Sequence, residues 1–273
     1  MPDLLHLDFI KNTGTVLKTV NGQDIEIWEL SEINDEAVLS SWAKHFREQY
    51  CLDSDIDLLM KGTPYKTKKE YLEELIFPDK SHPPGPSIRS GDFAEILLTD
   101  FLEFIWEFWV PRGKYEEKWN RNESIKGVDI LGLQMKDLNQ HKPDDILIAI
   151  EAKAQLSSSS RYNKTLQNAI NDSSKDIFRQ AQTLNAIKRR LIISQDNQNA
   201  MLVERFQDKA DRPFIYRPCA IAVLTDTAFD ERLIQLSDSS KHPNLSTLKI
   251  IIFKGSDLMN LAHELYERAA NEA

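Results

Sequence analysis

The chain has little of the chemistry that marks secreted, membrane-spanning or thiol-dependent proteins. Only two of its 273 residues are cysteine, and Cys51 and Cys219 lie far apart in no ligand-like spacing, which argues against a cysteine metal motif. The opening Met1-Pro2-Asp3-Leu4-Leu5-His6 has neither the basic start nor the long apolar region of a signal peptide, so a cytoplasmic location is expected. Long apolar runs are missing as well. The most apolar window, Phe93 to Val110, contains Glu95, Asp100, Glu103 and Glu107, and four acids would be prohibitive at the centre of a bilayer. No membrane association is expected. There is no phosphate-binding glycine loop, no Ser-His-Asp order and no cysteine-nucleophile motif. The six histidines, His6, His45, His82, His141, His242 and His263, show no ligand pairing.

An excess of positive charge is also absent. The net charge of −9 argues against a protein that coats phosphate backbones unaided, because Lys and Arg supply non-specific nucleic-acid affinity. The charge is unevenly spread, however. Between Arg161 and Arg190 seven basic residues, including Arg161, Lys164, Lys175 and Arg179, stand against two acids, Asp172 and Asp176. A phosphate backbone could run there, and the alternative is an ordinary solvated helix face.

What is present is an even globular composition, 41% hydrophobic, with enough length to bury a sizeable core. Residues 1–86 carry strand-like pieces at Leu5–Ile10, Thr15–Val20 and Asp24–Trp28 and an amphipathic helix over Asp35–Tyr50. They end in Phe77-Pro78-Asp79-Lys80-Ser81-His82-Pro83-Pro84-Gly85-Pro86, which can continue neither a helix nor a strand. This predicts a small N-terminal domain, 1–86, suited to partner docking, and a larger one, 87–273. In the second, a helix from Ser90 or Asp92 to about Trp109 precedes strands at Lys114–Asn120, Gly127–Gln134 and Ile146–Ala154. A polar loop or marginal helix, Leu156–Asp172, leads to a helix on which Ile177, Ala181, Leu184, Ile187 and Leu191 repeat at helical spacing. A strand at Tyr216–Thr225, a helix around Asp230–Leu236, a strand at Leu248–Phe253 and a helix at Asp257–Ala270 complete an α/β chain with a mixed sheet.

The segment from Ile146 to Ala154 is the most telling. Leu147, Ala149, Glu151 and Lys153 share one face and Ile146, Ile148, Ile150 and Ala152 the other, the pattern of a strand buried on both sides. Burying a carboxylate and an ammonium there is costly unless compensated, and a divalent cation held by several carboxylates is the usual compensation. Glu95 and Asp129 are oxygen donors of the same hard type, and the Ala152 carbonyl lies between Glu151 and Lys153. Phosphodiester hydrolysis needs an activated water and positive charge at the phosphate, which carboxylate-bound Mg2+ (or Mn2+) supplies. Lys153 could stabilise charge or orient the water, and lowering of its pKa by burial leaves a base role open. Taken singly, each residue also has a structural reading. A Glu-x-Lys pair can protect an edge strand, Asp129 can cap a turn, and Glu95 can serve a helix dipole.

In this order of elements, Glu95 on a helix, Asp129 on a strand and Glu151-x-Lys153 on the next strand resemble the PD-(D/E)xK nuclease superfamily, with its restriction-endonuclease-like core, across residues 90–225. The resemblance implies that Glu95, Asp129 and Glu151 bind metal, that Lys153 assists hydrolysis, and that Gln155, extending the motif to Glu-x-Lys-x-Gln, supports the site. Val128 stands where the motif often has proline. More narrowly, Gly91-Asp92-Phe93-Ala94-Glu95, Lys126-Gly127-Val128-Asp129 and Glu151-Ala152-Lys153-Ala154-Gln155 resemble the HamA family, nuclease subunits of the Hachiman anti-phage defence system. That resemblance implies a bacterial effector that degrades DNA and is controlled by a HamB-like superfamily 2 helicase. A non-catalytic docking module, and a restriction-type or RNA-cutting enzyme of the same superfamily, are the alternatives.

Overall fold

The computed structural model describes residues 4–157 and 164–273. After a 3-10 turn at Leu5–Phe9 the elements are β1 (Ile10–Lys18), β2 (Asp24–Leu30), α1 (Glu36–Glu48), α2 (Ile56–Met60), α3 (Lys68–Tyr71) and α4 (Gly85–Asp100). They continue with β3 (Ile130–Gln134), β4 (Ile146–Gln155), α5 (Thr165–Ser173), α6 (Asp176–Ile193) and α7 (Asn197–Glu204). The last are β5 (Ile215–Thr225), α8 (Glu231–Gln235), β6 (Lys249–Gly255) and α9 (Leu258–Asn271).

The strands form one mixed six-stranded sheet in the order β1-β2-β6-β5-β4-β3. The outer pairs β1/β2 and β3/β4 are antiparallel, and the pairs β2/β6, β6/β5 and β5/β4 are parallel. β4 is therefore interior, and Ile146 to Glu151 are all buried. Fully burying an aliphatic side chain contributes about 1.5–3 kcal/mol, so Ile146, Leu147, Ile148 and Ile150 anchor the strand that carries the Glu-x-Lys pair.

Helices cover both faces, as parallel pairing demands. On one face Ile148, Ile150, Ile221, Val223, Ile251 and Phe253 meet α1, α4 and α9 through Trp42, Phe46, Phe93, Phe101 and Tyr266. Phe93 of α4 and Phe101 just after it are thus core. On the other, α5 packs Leu166, Ala169 and Ile170 against Ala220, Ala222 and Leu224, while α6 packs Leu184 and Ile187 against Leu131, Leu133, Leu147 and Ala149. α1 is well started, since the Asp35 carboxylate accepts the Ala37 and Val38 N–H groups, a cap worth about 1 kcal/mol.

Several expectations change. The proline-rich segment at Phe77–Pro86 does not separate two cores: β2 pairs with β6, and Trp42 and Phe46 of α1 share a cluster with Leu265 and Tyr266 of α9. Residues 1–86 thus supply an edge hairpin and a covering helix to the common sheet. Leu5–Phe9 is a 3-10 turn instead of a strand. Lys114–Asn120 holds only a 3-10 turn at Tyr115–Glu117, because its side chains are drawn onto α4 and the edge beside β4 is taken by β3. The helix expected to reach Trp109 leaves α-geometry after Asp100 for a π-helical turn, Phe101–Ile105. Trp109 then bridges to Leu133 of β3.

Candidate active site

β3 pairs with β4 only as far as Ile130 opposite Ile150. Just beyond that last pair the carboxylate of Asp129 takes over, its Oδ2 accepting the Ala152 N–H at 2.9 Å. In extended backbone a residue's N–H and C=O face the same strand edge, so the Ala152 carbonyl faces the same side as Asp129. Gly127, two residues earlier, has φ +130° and lies so close to Thr183 that a Cβ would stand 2.8 Å from its Oγ1. The same Thr183 oxygen accepts the Val128 N–H at 3.1 Å. The approach to Asp129 is thereby fastened to α6.

Glu95 comes from α4. Its Oε2 accepts hydrogen bonds from Lys114 Nζ at 2.6 Å and Tyr115 Oη at 2.9 Å, and Lys114 also donates to the Asp129 carbonyl at 2.9 Å. Lys114 reaches this place because the chain returns over α4, held by Arg112. That guanidinium donates to Asp100 at 2.6 Å and to Glu103 at 2.5 Å. Asp100, wholly buried, is also held by His6 at 3.0 Å and His45 at 2.9 Å. The two histidines serve this anchor.

Glu151, 2% exposed, points to the face covered by α5 and α6. Lys153 Nζ is 2.6 Å from its Oε1 and 3.1 Å from Asp172. Arg179 Nη1 is 3.3 Å from Glu151 Oε2 and 3.4 Å from Asp176 Oδ1. The carboxylate thus sits in an alternating row, Asp172, Lys153, Glu151, Arg179, Asp176. Gln155, four residues on, accepts a hydrogen bond from Thr165 Oγ1 at 3.0 Å, which ties the strand end to α5.

The acids act on one another through their charges. The Asp129 carboxyl is pushed well above the usual carboxylate range, first by burial and then by the charges of Glu95 and Glu151, with Lys114 and the Ala152 N–H opposing. Asp176 is pushed up to about 7 by burial and by Glu151. Lys153 differs from expectation. Burial presses its pKa down, but Glu151 and Asp172 outweigh that and hold it above its ordinary value.

Glu95, Asp129, Glu151 and Lys153 thus come to one end of β4. Of the expected nucleic-acid contacts, Arg179 turns inward to Glu151, Lys175 is exposed but paired with Asp172 at 2.6 Å, Lys164 is the residue preceding α5, and Arg161 lies outside the described residues. Lys114, Tyr115, Asp172 and Asp176 were missed. The signal that could have found them is the general need of a buried acid for a counter-charge, but nothing in their spacing says which cation serves which acid.

The donor set suits Mg2+ in kind: hard carboxylate oxygens whose mutual repulsion already raises Asp129. In placement each acid is drawn toward its own partner in the protein, and among the described residues no three His, Cys, Asp or Glu side chains are gathered closely enough to hold an ion. No helix of the described residues is long and apolar enough to cross a membrane.

No curated protein matches the chain. A family model described as HamA matches residues 5–269, nearly the whole length, and the chain belongs to the HamA family.

Proposed function

We propose that this HamA-family chain is a metal-dependent deoxyribonuclease, the effector of a bacterial anti-phage Hachiman system, working in the cytoplasm under the control of a superfamily 2 helicase. The observation that supports the reading is that Asp129 accepts the Ala152 N–H at 2.9 Å between Glu151 and Lys153, while Lys114 joins Glu95 to the Asp129 carbonyl. Glu95, Asp129, Glu151 and the Ala152 carbonyl are the groups that would hold Mg2+ or Mn2+, which when bound supplies positive charge to the phosphate and lowers the pKa of a water.

The remaining chemistry belongs to the chain. Lys153 offers N–H donors to a phosphate oxygen or to the attacking water, and its raised pKa keeps it charged across the neutral range. Arg179 carries a second fixed cation beside Glu151, with the planar fork that suits phosphate. The Ala152 N–H and Thr183 hold Asp129 and its approach in register, which limits the reorganisation left for the reaction.

The direct test is cleavage of plasmid DNA with Mg2+ by wild type, Glu151→Ala and Lys153→Ala, in the presence of the partner helicase and its activating DNA. Equal survival of the DNA in all three sinks the catalytic reading. One observation favours a second reading, a docking module without catalysis: Glu95 and Glu151 are both already satisfied by cations of the chain. Calorimetry separates the two. A nuclease binds Mg2+ or Mn2+ in a manner lost in Asp129→Ala and Glu151→Ala, and a docking module shows no such binding.

A further inference from the structure

Beside the acids lies a cavity of about 270 Å3, bounded by α4, the connection from Val110 to Asp129, the start of β3, and α6. It is just under the lower end, roughly 300 Å3, of ordinary ligand pockets. Ile96, Val128 and Ile187 give it an apolar wall. Lys114, Lys126 and Arg190 give it cations, and Asp129 opens directly onto it. The cavity therefore matches a ligand with a flat apolar body and an anionic group, and it offers that anionic group its cations.

A second feature continues it along α6. Phe178 is 81% exposed and stands one residue before Arg179, which binds Glu151. It lies four residues, one helical turn, before Gln182, which lines the cavity, so the two share a face. An exposed ring beside fixed cations is the arrangement on which successive bases stack along a single strand.

We propose that the cavity takes one unpaired nucleotide, its base against the Ile96, Val128 and Ile187 wall and its phosphate toward Lys114, Lys126 and Arg190, with a neighbouring base on Phe178. The substrate is then single-stranded or frayed DNA. A base in a continuous duplex cannot enter such a recess without leaving its stack. The proposal rests on the nuclease reading for its consequence, but its test does not, because binding is measured in EDTA.

The test uses the full chain and fluorescence anisotropy with a short labelled oligothymidylate, the same length of duplex, and free thymidine monophosphate as competitor. Ala186→Trp and Gln182→Trp both fill the cavity from exposed positions of α6, and Phe178→Ala removes the stacking ring. Single-strand binding is expected to exceed duplex binding and to fall about tenfold in each variant, with duplex binding unchanged. Two filling variants that melt like wild type yet bind the single strand as tightly as wild type overturn the proposal. So does a cavity that holds the free nucleotide while oligothymidylate ignores both fillings, since that describes a small-molecule site. A protein that shows the expected binding but never cuts with Mg2+ leaves this site standing and removes the nuclease reading alone.

Discussion

Replacing Lys114 by methionine keeps the length and most of the volume of the side chain while removing the charge that balances Glu95. The Nζ stands 2.6 Å from Glu95 Oε2, and the two side chains are 22% and 16% exposed. At an effective dielectric near 20 the attraction over that distance is about 6 kcal/mol. Much of it is offset by the desolvation of both groups, which leaves a net cost of about 2–4 kcal/mol when one partner of a largely buried pair is removed. For a chain of this size that lowers the melting temperature by roughly 3–7 °C. The same loss should favour a cation: with Lys114 gone, Mg2+ no longer competes with an ammonium for Glu95, and stabilisation by a ligand follows its concentration relative to its dissociation constant. Thermal melting with and without Mg2+ reads both effects. Lys114→Met is expected to melt lower than wild type without metal and to gain more from Mg2+ than wild type does. A variant that melts like wild type, or gains no more than wild type from Mg2+, refutes the idea that Lys114 holds the site closed to metal.

Asp176 is wholly buried and pushed up to about 7, so its neutral form favours the fold. Its contribution is full below the ordinary carboxylate value and is lost as pH rises from about 4 to about 7, up to about 4 kcal/mol in all. Asp176→Asn should flatten that slope in urea unfolding at pH 5 and pH 8, and an unchanged slope would show that another group sets it. Asp100 is the opposite case. Burial opposes its charge, yet His45, His6 and Arg112 hold its carboxyl far below the usual range, so its contribution is present at neutral pH and lost on acidification. Asp100→Asn should cost about 3–5 kcal/mol at pH 7, and a loss under about 1 kcal/mol would contradict the anchoring role. Gly127→Ala forces a Cβ to 2.8 Å from Thr183 Oγ1 at a φ of +130°, at a cost of about 1–3 kcal/mol. The readout is the urea midpoint, and a midpoint equal to that of wild type would mean that the Gly127 backbone is free to move.

Much of this was legible in the chain because it depended on local pattern. The two-sided apolar alternation of Ile146–Ala154 marks an interior strand, and the repeat from Leu184 to Leu191 marks a helix with one buried face. The failures share a cause in long-range pairing. Residues 24–30 look like any short strand, and nothing nearby reveals that they pair with Lys249–Gly255, more than two hundred residues away. A proline-rich segment reads as a domain boundary by composition, yet composition is blind to whether the two sides share a core. Lys114–Asn120 alternates well enough for a strand, but Lys114 and Tyr115 are drawn to Glu95 and Lys118 forms an ion pair with Asp92.

The same distinction governs the site. The acids could be named from their types and from the strand that bears Glu151, whereas their partners could not. Glu95 takes its cation from a connection 19 residues away in sequence and Glu151 takes Arg179 from a helix 28 residues away. These cations make the acid cluster compatible with folding in the absence of metal, since burying several carboxylates without compensation would cost more than a domain's whole margin of stability. They also set the order of events for any ion that binds. It must draw Glu95 away from Lys114 and Glu151 away from Lys153 and Arg179, and each release leaves a mobile ammonium or guanidinium beside the place a phosphate would occupy. Metal binding and phosphate binding should therefore be coupled, each easing the other. Mg2+ affinity measured by calorimetry should rise when a non-cleavable phosphorothioate oligonucleotide is present. Equal affinity with and without it would mean that the cations and the acids do not exchange partners.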